Sequence, residues 1–187
     1  MIFPTTPSQT VGPFYSIGMP WDGGPFAVAA GTPGAIRLTG NVYDGHGELV
    51  PDNVIETWQA DPEGRFADLW GYGGPSELEG FRGFGRSGEE IGDGSYEIVT
   101  VKPGPVPGLG GAMQAPHIDV TVFARGMLNR VVTRVYFPED AEAHASDPVL
   151  SSVPAERRST LIAAAIDGGY RFDIRLQGPG ETVFFAI

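Results

Sequence analysis

The pair His117 and Asp119, set in Ala115-Pro116-His117-Ile118-Asp119, carries the residue types and spacing best suited to chemistry in this chain. The pair opens an apolar run, His117-Ile118-Asp119-Val120-Thr121-Val122-Phe123-Ala124, that predicts a β-strand. Side chains alternate along a strand, so His117 and Asp119 share one face while Ile118, Val120 and Val122 share the other. Two imidazoles at such positions would make half of an iron or zinc site. Here the second position is a carboxylate. A metal would need at least two more nitrogen or oxygen donors, and the bland alternative is a buried histidine bonded to a backbone group. The other two histidines, His46 in Asp44-Gly45-His46-Gly47 and His144 in the acidic stretch from Glu139 to Asp147, are expected in solvent.

Two arginines attract notice. Arg125 ends the run in Phe123-Ala124-Arg125-Gly126, where a guanidinium beside a glycine turn is presented to an anion as a rigid fork. The alternatives are a surface arginine or an internal salt bridge. Arg134, inside Thr133-Arg134-Val135-Tyr136, is expected to pair with a carboxylate on a sheet face. The segment Thr6-Pro7-Ser8-Gln9-Thr10-Val11-Gly12-Pro13-Phe14-Tyr15 combines two stiffening prolines, a glycine that allows close approach and two aromatics. That composition fits packing against another surface. No serine nucleophile constellation, phosphate-cradling loop or dinucleotide fingerprint can be placed; Gly71-Tyr72-Gly73-Gly74 precedes no helix.

The elements that must position these residues are short strands. Glycine and proline, 28 and 17 residues, lie scattered between apolar runs, which predicts many turns. Strands are expected at 36–43, 54–59, 95–101, 117–124, 129–137, 170–176 and 182–185. In the sixth, Tyr170, Phe172, Ile174 and Leu176 face one side and Arg171, Asp173 and Arg175 the other. Asp61-Pro62-Glu63-Gly64 predicts a type I turn. One helix is expected from Pro154 to Ile166, with Leu161/Ala165 and Ile162/Ile166 one turn apart. Residues 66–92 read as a long loop. The expectation is an all-β, single-domain β-sandwich over 35–187, preceded by an extended N-terminal arm over 1–34 that contacts a partner chain.

A chain of 187 residues without cysteine excludes disulfides and thiolate metal sites. Met1-Ile2-Phe3-Pro4 lacks a basic stretch followed by an apolar core, and no apolar run is long enough to span a bilayer, so a soluble cytoplasmic protein is expected. The formal charge of −11 disfavours nucleic acid and anionic membranes. It also means that an anionic ligand has to be met by a local arginine.

Seven motifs, in order, carry a resemblance: Thr6 to Pro13, Glu56-Thr57-Trp58-Gln59-Ala60-Asp61, Thr100-Val101-Lys102-Pro103-Gly104, Ala115-Pro116-His117-Ile118, Phe123-Ala124-Arg125-Gly126, Thr133 to Phe137 and Tyr170 to Ile174. The chain resembles the intradiol ring-cleavage dioxygenases from about residue 6 to residue 185. The resemblance implies two related sandwich chains in multiple αβ units, with Fe(III) held by the β chain and this chain on the α side. It implies a reaction in which dioxygen opens a small aromatic acid, protocatechuate, between its hydroxyls to give 3-carboxy-cis,cis-muconate. In iron-bearing members the metal is held by two tyrosines and two histidines, and the matching positions here are Phe66, Val106, His117 and Asp119. Phenylalanine and valine offer no lone pair, so one ligand of four survives. Thr10, Gly12, Pro13 and Phe14 match an arm that approaches the bound substrate, and Arg125 an arginine near its carboxylate. The readings that compete are a free-standing metal-dependent enzyme using His117, Asp119 and donors from residues 66–92, and a non-enzymatic carrier or interaction module.

Overall fold

A computed structural model describes residues 10, 12, 14–67, 75–88 and 94–186. The expected residues Pro13, 1–9, 68–74 and 89–93 lie outside the described residues. Within them the chain forms two packed sheets. In the first, β1 (Ala35–Tyr43) runs antiparallel to β4 (Ser95–Val101) on one edge. Its other edge is parallel to β10 (Gly169–Arg171) and then to β11 (Ile174–Arg175), and β9 (Ala164–Ile166) pairs with β10. The second sheet is antiparallel and ordered β3 (Phe84–Ser87), β2 (Val54–Trp58), β7 (His117–Phe123), β8 (Val131–Tyr136). A small hairpin joins β5 (Val106–Pro107) to β6 (Met113–Gln114).

The core between the sheets follows from alternation. Leu38 and Val42 of β1, Tyr96 and Ile98 of β4, Ile55 of β2, Ile118, Val120 and Val122 of β7, and Val135 of β8 meet there, all fully buried. Burial of such side chains contributes about 1.5–3 kcal/mol each. The opposite face of β7 is then fixed: His117, Asp119, Thr121 and Phe123 point away from the core. A second apolar cluster of Ala115, Tyr136, Leu150, Val153 and Leu161 covers the end of that outer face near His117.

The last third of the chain differs from its sequence-based reading. The expected helix over 154–166 is a 3-10 run, Ala155–Leu161, followed by β9. The chain leaves the helical path because Ala163 donates its N–H to the Tyr136 carbonyl, and the turn at Asp167-Gly168 folds β9 onto β10. Asp-Gly between two apolar runs is a local hairpin signal. Two short helices, α2 (Ala141–Ser146) and α3 (Pro148–Ser152), stand where none was expected, the second capped by the Asp147 carboxylate. The strand expected at 170–176 is broken into β10 and β11, although Phe172 and Ile174 share one side as expected, and that side is the core. At the break the Phe172 carbonyl accepts from the buried Tyr96 hydroxyl and crowds Gly40, where a Cβ would lie 2.0 Å from that oxygen. Residues 182–185 form no strand; Phe185 makes an isolated bridge to Val132. Phe84–Ser87, read as part of a loop, is an edge strand.

The N-terminal segment divides in two. Ala27 and Val28 are buried and Phe26 bridges to Val99, so this part belongs to the sandwich itself. Upstream, α1 (Tyr15–Gly18) lies against the outside of the second sheet. Arg86 holds it there: its guanidinium pairs with Glu56, donates to the Met19 carbonyl (3.1 Å) and sits 5.0 Å from the Trp21 ring. Among the described residues, no helix is long and apolar enough to cross a membrane.

Candidate functional site

The outer face of the second sheet brings the four singled-out metal-site positions to one region. Register places His117 opposite Tyr136, Asp119 opposite Arg134 on one side, and Asp119 opposite Trp58 on the other. Phe66 stacks on Trp58 with ring centroids 6.0 Å apart. It is brought there by the Asp61–Gly64 turn, whose Gly64 N–H donates to the Asp61 carbonyl (3.0 Å) and whose Asp61 carboxylate accepts from the Glu63 and Arg65 N–H groups. Val106 pairs with Gln114 in the small hairpin, and the Gln114 side chain reaches Arg134.

The electrostatics of this region are those of a filled site. Arg134 donates from Nε to Asp119 Oδ1 (2.8 Å) and from Nη1 to Gln114 Oε1 (2.6 Å). It is the sheet-face carboxylate pair expected for this arginine. His117 is 8% exposed, and its Nδ1 lies 2.7 Å from the Ala115 carbonyl oxygen. A carbonyl only accepts, so Nδ1 carries the proton and Nε2 the lone pair. Burial, reinforced by the Arg134 charge, pushes the His117 pKa below that of a free imidazole. The backbone bond is the bland reading of this histidine, and it is also the bond that commonly orients a metal-bound imidazole. His117 alone therefore does not decide between them.

Its neighbours bear on the choice. Ferric iron is held by oxygen, nitrogen or sulfur donors. Phe66 and Val106 supply none, and Asp119 is already neutralised by a guanidinium in hydrogen-bond contact. The residues at these positions do not fit the metal. Among the described residues, no group of three or more histidine, aspartate or glutamate side chains could hold a metal ion.

His144 corrects an expectation. It is half-buried rather than solvated, packed edge-on against Tyr136 at 5.5 Å, and burial lowers its pKa. The reason is α2, which carries it onto the second apolar cluster. His46 is exposed, as expected for its turn.

A second group of singled-out residues gathers at the far end of β7. Arg125 follows the strand, where the chain turns through Gly126 at φ +87°, and its side chain is 59% exposed. Its Nε lies 3.0 Å from Asp52 Oδ2. Thr10 Oγ1 accepts from the Gly126 N–H (3.0 Å). The Tyr15 hydroxyl donates to the Asp52 carbonyl, with the Phe123 carbonyl at 3.1 Å, and burial together with the Asp52 charge raises its pKa. The arm and Arg125 are thus tied at one place. Phe14 is 78% exposed, and at Gly12 an added Cβ would meet nothing within 4 Å among the described residues. Sequence reasoning missed Asp52 and Gln114. Each acts across the sheet on a residue distant in the chain, and no local motif marks it.

Comparison with known proteins agrees on one lineage. The profile of a family described as Dioxygenase matches residues 10–178. The protocatechuate 3,4-dioxygenase alpha chain of Burkholderia cepacia is 45% identical over 204 residues, covering 97% of this chain and 97% of its own. The beta chain of the same enzyme from that organism is 33% identical over 168 residues, covering 83% of this chain and 71% of its own. Among solved structures, catechol 1,2-dioxygenase from Pseudomonas arvilla C-1 superposes with a TM-score of 0.56 at 20% identity, covering 82% of this chain and 55% of that one. At that identity the likeness speaks for the sandwich fold alone.

Proposed function

Because the chain belongs to the intradiol ring-cleavage dioxygenase family, we propose that it is the α subunit of a protocatechuate 3,4-dioxygenase. In this reading it assembles in αβ units with an Fe(III)-bearing β chain and holds no metal itself. The assembled enzyme opens protocatechuate between its hydroxyls with dioxygen to give 3-carboxy-cis,cis-muconate. The observation that carries the α assignment is the 45% identity to an alpha chain along 97% of both chains. The metal-free part of the reading is supported by the Asp119–Arg134–Gln114 network beside Phe66 and Val106, a donor-poor region already neutralised from within.

This chain contributes part of the wall of the partner's active site. Thr10, Gly12, Pro13 and Phe14 line it from the arm, and Arg125 meets the substrate carboxylate. Its two terminal nitrogens suit a carboxylate's two oxygens, and a local guanidinium is needed on a chain of net charge −11. Support for a partner on this side comes from Phe14, Ile17, Met19 and Trp21, which are 78%, 70%, 41% and 41% exposed within one short stretch. A cluster of that kind marks an interaction surface.

The test is to express the chain alone, its β partner alone, and both together. Only the combination should turn over protocatechuate at full rate. Full activity of this chain by itself would favour the free-standing enzyme instead.

A further inference from the structure

We propose that Asp52 is a positioning residue that sets the Arg125 guanidinium for the substrate's carboxylate. The inference rests on the reading of Arg125 given above. The pairing of β2 with β7 sets Val54 opposite Phe123, and continuing that antiparallel register sets Asp52 opposite Arg125. The two residues are therefore cross-strand neighbours just past the ordered ends of both strands. Asp52 is the fixed member, its side chain 13% exposed against 59% for Arg125.

Its carbonyl accepts from the Tyr15 hydroxyl, which also lies on the Phe123 carbonyl, so the segment carrying Asp52 is tied to both the arm and the end of β7. The carboxylate meets Arg125 at Nε, 3.0 Å away. This ion pair at Nε holds the guanidinium on the Asp52 side and leaves the two terminal nitrogens for a second acceptor. A flexible, exposed arginine would otherwise lose rotamer freedom each time it bound.

Asp52 has an opposing effect, since its negative charge also weakens the attraction of Arg125 for an anion. Asp52 is only 13% exposed, so salt screens this effect little. The two effects move KM for the acid substrate in opposite directions, lost positioning raising it and a lost counter-charge lowering it, and the sign of the measured change decides between them.

The experiment is Asp52→Asn in the enzyme assembled from both chains, with protocatechuate and catechol compared. KM for protocatechuate should rise about three- to tenfold, in keeping with a lost orienting contact, while kcat and catechol turnover change little. Asp52→Glu should recover part of the loss. The double variant Asp52→Asn/Arg125→Met should behave as Arg125→Met alone, since Asp52 acts only through Arg125. A KM for protocatechuate that falls or stays constant would overturn the inference and leave Asp52 as a mere counter-charge. Equal losses on both substrates would make it a structural residue. If Arg125→Met itself leaves the acid substrate unaffected, the reading of Arg125 has failed; if that variant responds and Asp52→Asn does not, only the positioning role has failed.

Discussion

Arg125→Met in the assembled enzyme is expected to raise KM for protocatechuate about ten- to a hundredfold, the value of a partly desolvated charge-assisted contact of roughly 1.5–3 kcal/mol. Catechol lacks the carboxylate, so its turnover should change much less. That contrast separates recognition from chemistry. Iron content and assembly should be intact, because Arg125 contacts neither a metal-site position nor the core. The substitution also leaves Asp52, a largely buried carboxylate, without its cation. Adding Asp52→Asn removes that complication, and the acid substrate should remain poorly bound in the double variant. Equal loss on both substrates would assign Arg125 a general structural role, and no loss on either would make it the surface arginine that its exposure alone suggests.

The largest stability effect is expected at Asp147, which is fully buried. Its Oδ1 accepts from the Val149 and Leu150 N–H groups, capping α3, and its Oδ2 accepts from the Ala115 N–H at 2.7 Å. It thereby clamps the helical cover to the entry of β7, two residues from His117. Asp147→Ala removes a cap worth roughly 0.5–2 kcal/mol. It also strands a buried N–H at a cost of about 1–3 kcal/mol. For a domain of this size, about 2–4 °C is lost per kcal/mol, so a fall in Tm of roughly 3–20 °C is expected in calorimetry. Asp147→Asn should restore the cap but not the Ala115 bond, because its NH2 group would face another donor. A shift of under about 2 °C for the alanine variant would contradict this account of how the outer face is closed.

The sandwich was legible where one physical rule dominates. Alternation put Ile118, Val120 and Val122 on one face and His117 with Asp119 on the other, and the structure makes the first of these the core, because a half-buried strand has only one way to face. It likewise predicted a carboxylate partner for Arg134. Alternation was a poorer guide after residue 137. Ile162 and Ile166 satisfy a helical spacing, but the Tyr136 carbonyl and the Asp167-Gly168 turn draw the same residues into a bridge and a hairpin. Propensity is a weak prior against such tertiary bonds. His144 was misread for the same reason, since its burial depends on a helix that packs on Tyr136.

The candidate site was legible as residue types and illegible as contacts. Phe66 and Val106 announce by chemistry alone that they donate nothing. That Arg134 is bonded to both Asp119 and Gln114 is a property of three strands meeting, and the pairing of Asp52 with Arg125 likewise depends on two strand ends meeting.

The central claim is that this chain supports ring cleavage without holding the metal, and the most direct measurement is iron per chain in the purified proteins. The assembly should contain one ferric iron for each αβ pair, with its visible ferric–tyrosinate absorption. This chain purified alone should show neither the band nor stoichiometric iron after incubation with it. One iron per chain and the same band in the isolated chain would contradict the claim, and would mean that His117 and Asp119 coordinate metal together with donors outside the described residues.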